Sequence, residues 1–232
     1  MKDETSSPNE ELRASGYIDD EYCARYRRDA ENGDAEAQFK LSDYCLTNFD
    51  MDEPANLSES MKWLRKAAEQ GHSPAQFRLG YMYMEGLRLP MDHAQALAWF
   101  HKADESDGNP DAQFCISLMY LRGTGVPKGD TLRAAWLRKA ADGGHAEAQY
   151  YLGSMYDRGL GGLPKDGARA AALYLQSAEQ EHPYAEFSLG LMHEYGRGVP
   201  KKKDEAVKWY RRAAEHGEEA AHEKLREMGV AP

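Results

Sequence analysis

The sequence contains no run of eighteen apolar residues, so it offers no conventional membrane-spanning helix. It is poor in cysteine: Cys23, Cys45 and Cys115 are an odd number at unrelated positions. That excludes a disulfide framework and fits a reducing compartment, so the expected location is the cytoplasm. Residues 1–11 are polar and acidic and lack the basic start and apolar core of a secretory signal. Basic charge is not in excess either. The formal net charge is -10, and no basic stripe suits a phosphate backbone, so nucleic acid is not an expected partner.

Catalytic signatures are also missing. His193-Glu194 opens like a zinc-protease motif, but the residue four after His193 is Arg197. Residues 159–165 hold glycines and a lysine without Gly-Lys-Ser/Thr, so they read as a helix-joining turn and not a phosphate loop. Lys201-Lys202-Lys203 reads as a solvated loop, and His72 and His145, recurring at one kind of turn, read as structural. No nucleophile lies at a telling spacing from a base. The expectation is therefore no catalytic residue, no cofactor and no metal.

What the sequence does have is a period. Ala37-Gln38, Ala75-Gln76, Ala112-Gln113 and Ala148-Gln149 recur at spacings of 38, 37 and 36 residues, and Ala185-Glu186 follows 37 residues later. A weaker sixth copy begins near Ala221. Such a period marks stacked repeats, each burying its apolar face against the next. Counting from each alanine, the fourth residue on is aliphatic: Leu41, Leu79, Ile116, Leu152, Leu189. The fifth is small: Ser42, Gly80, Ser117, Gly153, Gly190. The seventh is Met82, Met119, Met155 and Met192 in four copies, and the eighth is Cys45, Tyr83, Tyr120, Tyr156 and His193. Offsets 0, 4, 7 and 8 form one helical stripe that should pack inward.

A glycine-rich turn follows, as in Gly123-Thr124-Gly125-Val126-Pro127 and Gly196-Arg197-Gly198-Val199-Pro200, and should end the first helix of each copy. The second half carries an aromatic, read here as Trp63, Trp99, Trp136, Tyr174 and Trp209, followed by Lys-Ala-Ala or a variant. A Gly-His turn leads into the next copy. The pattern Ala-Gln-Phe/Tyr-x-Leu-Gly-x-Met-Tyr, Gly-x-Gly-Val-Pro, Trp-x-x-Lys-Ala-Ala-x-x-Gly closely resembles the Sel-one-like repeat (SLR) family over about residues 33–218.

The resemblance implies an all-α fold, a right-handed α/α superhelical solenoid of about five SLR helix pairs with half-repeat caps. The expected layout is a cap helix at 17–32, repeats near 33–71, 72–108, 109–144, 145–181 and 182–217, and a closing helix at 218–230. Residues 17–232 would form one domain, and residues 1–16 a disordered acidic tail. The first copy departs from the pattern: a longer acidic link, 47–60, stands where the glycine turn is expected. The acidity gathers there too, since residues 1–60 hold 16 Asp+Glu and 6 Lys+Arg and therefore the whole net charge.

Function follows by resemblance: a non-enzymatic adaptor or scaffold that holds a partner protein or peptide in its concave groove. The acidic N-terminal end could cap the array or dock a basic partner. Other readings are an immunity protein that occludes a toxin and, by remote precedent, a β-lactam hydrolase. The hydrolase precedent belongs to cysteine-rich relatives with paired cysteines in each repeat, and this chain lacks those pairs. Offset 2 is aromatic throughout (Phe39, Phe77, Phe114, Tyr150, Phe187), either a ladder of binding pockets or packing between repeats. Offset 6 varies (Asp43, Tyr81, Leu118, Ser154, Leu191), as a surface free to specialise would. The candidate partner-binding residues are Phe77, Tyr81, Met84, Phe114, Leu118, Arg122, Tyr150, Asp157, Arg158, Phe187, Leu191 and Tyr195.

Overall fold

The computed structural model describes residues 20–48 and 54–230. The expected disordered tail at 1–16, Cys23's side chain and the centre of the 47–60 link lie outside the described residues. Those residues form twelve α-helices and no strand. They fall into two compact units, residues 1–107 and 108–232. The first holds α1 (Asp20–Glu31), α2 (Ala35–Asn48), α3 (Pro54–Glu69), α4 (Ser73–Glu85) and α5 (His93–Asp107). The second holds α6 (Pro110–Arg122), α7 (Asp130–Asp142), α8 (Ala146–Arg158), α9 (Gly167–Ala178), α10 (Pro183–Tyr195), α11 (Lys203–Glu215) and α12 (Glu219–Glu227).

Each repeat is an antiparallel helix pair whose ends are set by its sequence. The first helix stops where Gly86, Gly123, Gly159 or Gly196 turns left-handed and donates its N–H to the carbonyl of Met82, Met119, Met155 or Met192. The offset-7 methionine thus serves twice, its side chain in the core and its carbonyl in the cap. The first helix starts at a capping side chain. The Nδ1 of His72, His145 and His182 accepts the N–H of Ala75, Ala148 and Ala185, each at 3.3 Å. Asn109 does the same for Ala112 at 2.9 Å, and Asp34 for Ala37 at 2.7 Å. The recurring histidines are therefore helix N-caps, a role in which the proton must sit on Nε2.

The small offset-5 residue allows the two helices of a pair to touch. A Cβ on Gly153 would meet the Tyr174 ring at 3.0 Å, one on Gly80 the Phe100 ring at 2.7 Å, and one on Gly190 the Tyr210 ring more tightly still. This corrects one alignment made from the sequence. Tyr174 does not occupy the tryptophan position; it matches Leu64, Phe100, Leu137 and Tyr210, all buried, and Leu173 stands where the tryptophans do. At those tryptophans a basic residue three positions on covers the ring: Lys66 over Trp63, Lys102 over Trp99, Lys139 over Trp136 and Arg212 over Trp209, at 3.9–4.9 Å. The inward stripe also needs one amendment. Offsets 0 and 4 are buried, as are the four offset-7 methionines, but at offset 8 only Cys45 and Tyr156 are.

Offset 1, the glutamine of the Ala-Gln pair, is buried in every copy, and its hydrogen bonds explain why. Gln38, Gln76 and Gln149 donate Nε2 to the carbonyls of Ala30, Ala68 and Ala141, each eight residues back at the end of the preceding helix. Their Oε1 atoms accept from the far end of the same repeat: Gln70 Nε2 at 2.7 Å, Ser106 Oγ at 2.9 Å and Gln180 Nε2 at 2.9 Å. One side chain therefore ties three successive segments. Gln113 donates instead to Gly108, at 3.1 Å.

The fifth copy has Glu186 at this position, fully buried. A carboxylate cannot donate, so the carbonyl eight residues back, Ala178, which already accepts the Glu181 N–H, takes its side-chain bond from Arg212 at 3.0 Å. Arg212 also lies 2.9 Å from Glu186 Oε1, and His216 Nδ1 lies 2.8 Å from Oε2. The substitution of Glu for Gln is thus matched by two partners on and just beyond α11.

Three outcomes follow. Gly190→Ala should lower unfolding stability by about 1–3 kcal/mol, because the Tyr210 ring is buried and cannot yield. Gly153→Ala should cost less, since the milder contact is offset by alanine's helix propensity of roughly 1 kcal/mol; equal denaturant midpoints for the two variants would contradict this packing. Arg212→Ala should destabilise by roughly 3 kcal/mol by stripping a cation from a buried carboxylate. Adding Glu186→Gln should recover most of that loss, because glutamine can bond Ala178 as its counterparts do. A double variant no more stable than the single one would contradict the exchange.

Burial holds the imidazoles of His145 and His182 below the ordinary histidine range. As pH falls, the unfolded chain takes up these protons first, so stability is lost on acidification below about pH 6.5. His145→Asn with His182→Asn keeps both caps, so its melting temperature should match the parent near neutral pH and fall less steeply towards pH ~5.5. Parallel pH profiles would show that the caps do not titrate as described.

Candidate functional site

The offset-1 glutamine points inward, and the offset-2 ring beside it packs between repeats. Phe39 lies 4.9 Å from His72, Phe114 4.3 Å from His145 and Tyr150 5.1 Å from His182, ring centre to ring centre. Each aromatic thus leans on the capping histidine of the next copy. Phe77 packs on Phe100 and Phe187 on Tyr210, at 5.9 and 5.5 Å. The ladder is half-buried packing, and at Tyr150 it also borders a hollow.

That hollow, of about 510 Å³, opens over α8–α10. Tyr150, Ser154, Asp157 and Arg158 line it from successive turns of α8. Ser188 and Leu191 line it from α10, Tyr174 from α9, and Lys165 and Arg197 from the two glycine turns. The spacing 150, 154, 157, 158 places the α8 residues on one face, opposite the buried Leu152 and Met155. Arg158 and Arg197 sit at the C-terminal ends of α8 and α10, where helix dipoles favour cations.

The electrostatics are mixed but lean basic. Asp157 pairs with Arg197 at 3.1 Å. Arg158 and Lys165 are exposed and have no ion-pair partner among the described residues. Burial, with the Asp157 charge next, pushes the Tyr174 phenol up to about 12, so it stays protonated. Burial likewise raises Tyr150. Hydroxyls, cations and one carboxylate line the hollow, and what they offer a ligand is hydrogen bonding and charge.

Of the candidate residues, Tyr150, Asp157, Arg158 and Leu191 come together here. Phe114 connects through Tyr151, 6.0 Å away, which in turn lies 5.2 Å from Tyr150. Leu118 is half-buried and Arg122 exposed on α6, outside the hollow. Tyr195 borders a second, smaller hollow of about 290 Å³ with Glu194, Lys201, Lys203, Glu227 and Met228. In the first unit Tyr81 is exposed and contacts Phe77, but Met84 is buried and belongs to the core, which removes it as a surface contact. Ser188, Lys165, Tyr174 and Arg197 were not singled out from sequence. Lys165 follows its turn proline as Lys128 and Lys201 do, a recurrence that lies in the turns and not among the helix offsets; Arg197 stands at a turn position that varies between copies, and the tryptophan register places Tyr174 one residue out.

The Sel1 repeat profile matches residues 35–72, 73–103, 110–145, 146–182 and 183–218, most of the chain. The protein belongs to the Sel1 repeat family, whose repeats mediate protein–protein interaction and serve as interaction scaffolds. Its fold is that of the solved members. A protective antigen of uropathogenic Escherichia coli with the SLR fold matches with a TM-score of 0.80 and 33% identity, over 90% of this chain and 44% of that one. A Sel1 repeat protein of Oxalobacter formigenes matches with a TM-score of 0.79 and 33% identity, over 89% and 59% of the two chains. Chitin synthase regulatory factor 3 of Schizosaccharomyces pombe is 35% identical over 78 residues, 34% of this chain and 8% of its own length. The chain thus spans less than two thirds of each of these relatives. No helix among the described residues is long and apolar enough to cross a membrane.

Proposed function

We propose that this chain is a non-enzymatic, cytoplasmic scaffold that holds a segment of a partner protein against the α8–α10 face. The observation that supports the reading is the convergence of Tyr150, Asp157, Arg158 and Leu191, from two consecutive repeats, on one hollow. An aromatic anchor, an apolar neighbour and unspent polar groups around a concavity are what a binding hot spot requires. The repeat frame contributes rigidity: Gln149 and Leu152 are locked inward, so Tyr150 and Ser154 are presented without a further ordering cost. Occlusion of a toxin is one form such binding takes, and no residue of the site favours it over another partner.

Partner recovery from the source cell tests the reading. Tyr150→Ala with Leu191→Asp should reduce recovery about tenfold or more. Leu132→Asp with Leu175→Asp, at exposed positions outside the hollow, should leave it intact. Equal recovery by the two variants would contradict the assignment of this face.

A further inference from the structure

The hollow has a chemical bias that its packing role does not explain. Its rim carries three cations, Arg158, Lys165 and Arg197, and one carboxylate, Asp157. Asp157 is spent on Arg197, which leaves Arg158 and Lys165 exposed and without an ion-pair partner among the described residues. The second unit as a whole is balanced, with 17 Asp+Glu and 17 Lys+Arg in residues 108–232, so the excess is local to the hollow. Beside it lies an exposed aromatic shelf. Tyr150 contacts Tyr151 at 5.2 Å and Tyr184 at 6.1 Å, and Tyr184 is 55% exposed.

Resting on the scaffold reading above, we propose that the α8–α10 hollow recognises an extended acidic protein segment. Aspartate or glutamate side chains would pair with Arg158 and Lys165, and an adjacent apolar or aromatic residue would lie on Tyr150 and Tyr184. Guanidinium and ammonium groups bind carboxylates through charge-assisted hydrogen bonds, which fix position as well as sign. The flat tyrosine faces supply apolar area at little entropic cost. Ser154 and Ser188 add hydroxyls to the lining of the same hollow. Asp157 gives the site its selectivity: it occupies Arg197 and repels acids from that side, so the carboxylates are directed to the Arg158–Lys165 side.

The test is selection of a displayed library of random twelve-residue peptides on the full-length protein. Recovered sequences should be enriched in Asp and Glu beside an aromatic or large aliphatic residue. Selected peptides should bind about tenfold more weakly when their acids become Asn and Gln, and about tenfold more weakly to Arg158→Glu with Lys165→Glu. Both side chains are exposed and make no ion pair among the described residues, so that variant keeps its fold; Arg158→Gln with Lys165→Gln gives a milder repeat. Selection without acidic enrichment, or enrichment that persists on both variants, overturns the proposal, as does tighter binding of a single-stranded oligonucleotide at the same salt. Failure here is separable from failure of the scaffold reading. In that case recovery of the partner still depends on Tyr150 and Leu191 but ignores charge reversal at Arg158 and Lys165.

Discussion

The structure depends on one recurring hydrogen-bonded link: a side chain that opens one repeat bonds a carbonyl near the end of the helix before it. The carbonyls of Ala30, Ala68 and Ala141 each accept a turn N–H, from Gly33, Gly71 and Gly144, and keep a second lone pair for a side-chain donor; one such bond contributes about 1 kcal/mol net, and the contribution recurs along the array. Gln38, Gln76 and Gln149 make that link from the next repeat, and each accepts in turn from the end of its own repeat. The alanine before each glutamine is fully or nearly fully buried, which brings the helices close enough for a side chain of this length to reach. The small residue at offset 5 and the large ring opposite it are the packing counterpart of the same closeness.

The site grows from this frame. Because offset 1 turns inward, offset 2 must lie at the seam between repeats, where it meets the next capping histidine. Because offsets 4 and 7 are core, offsets 6, 9 and 10 of the fourth copy (Ser154, Asp157, Arg158) share one open face. Function then resides in a few positions that the fold leaves unconstrained, on a scaffold that is otherwise determined. The fifth copy shows how far the frame can vary. Glu186 replaces glutamine, and Arg212 and His216 together assume the roles of its missing amide.

Much of this was legible in the sequence. The period, the helix pairs and the glycine turns could be read because Ala, Gly and Met recur at fixed offsets for local reasons. The roles of glutamine and histidine could not, because each depends on a carbonyl or amide whose position only the fold defines. Tyr174 was misplaced because an aromatic was sought at the tryptophan position, whereas the glycine opposite selects the ring one residue later. Met84 resembled a surface residue in a periodicity that ignores neighbouring helices. The hollow was half legible: Tyr150, Asp157, Arg158 and Leu191 follow helix offsets, whereas Lys165 recurs only in the turns, as Lys128 and Lys201 do, and Arg197 stands at a variable turn position.

The central claim is that one glutamine ties three successive segments. It is tested most directly by native-state hydrogen exchange on Gln149→Leu, which keeps the side-chain volume and removes both bonds. The account predicts a joint loss of protection at the α7–α8 turn, where Ala141 is the acceptor, and at the α9–α10 turn, where Gln180 is the donor. Loss confined to α8, with both turns protected as in the parent, would contradict it.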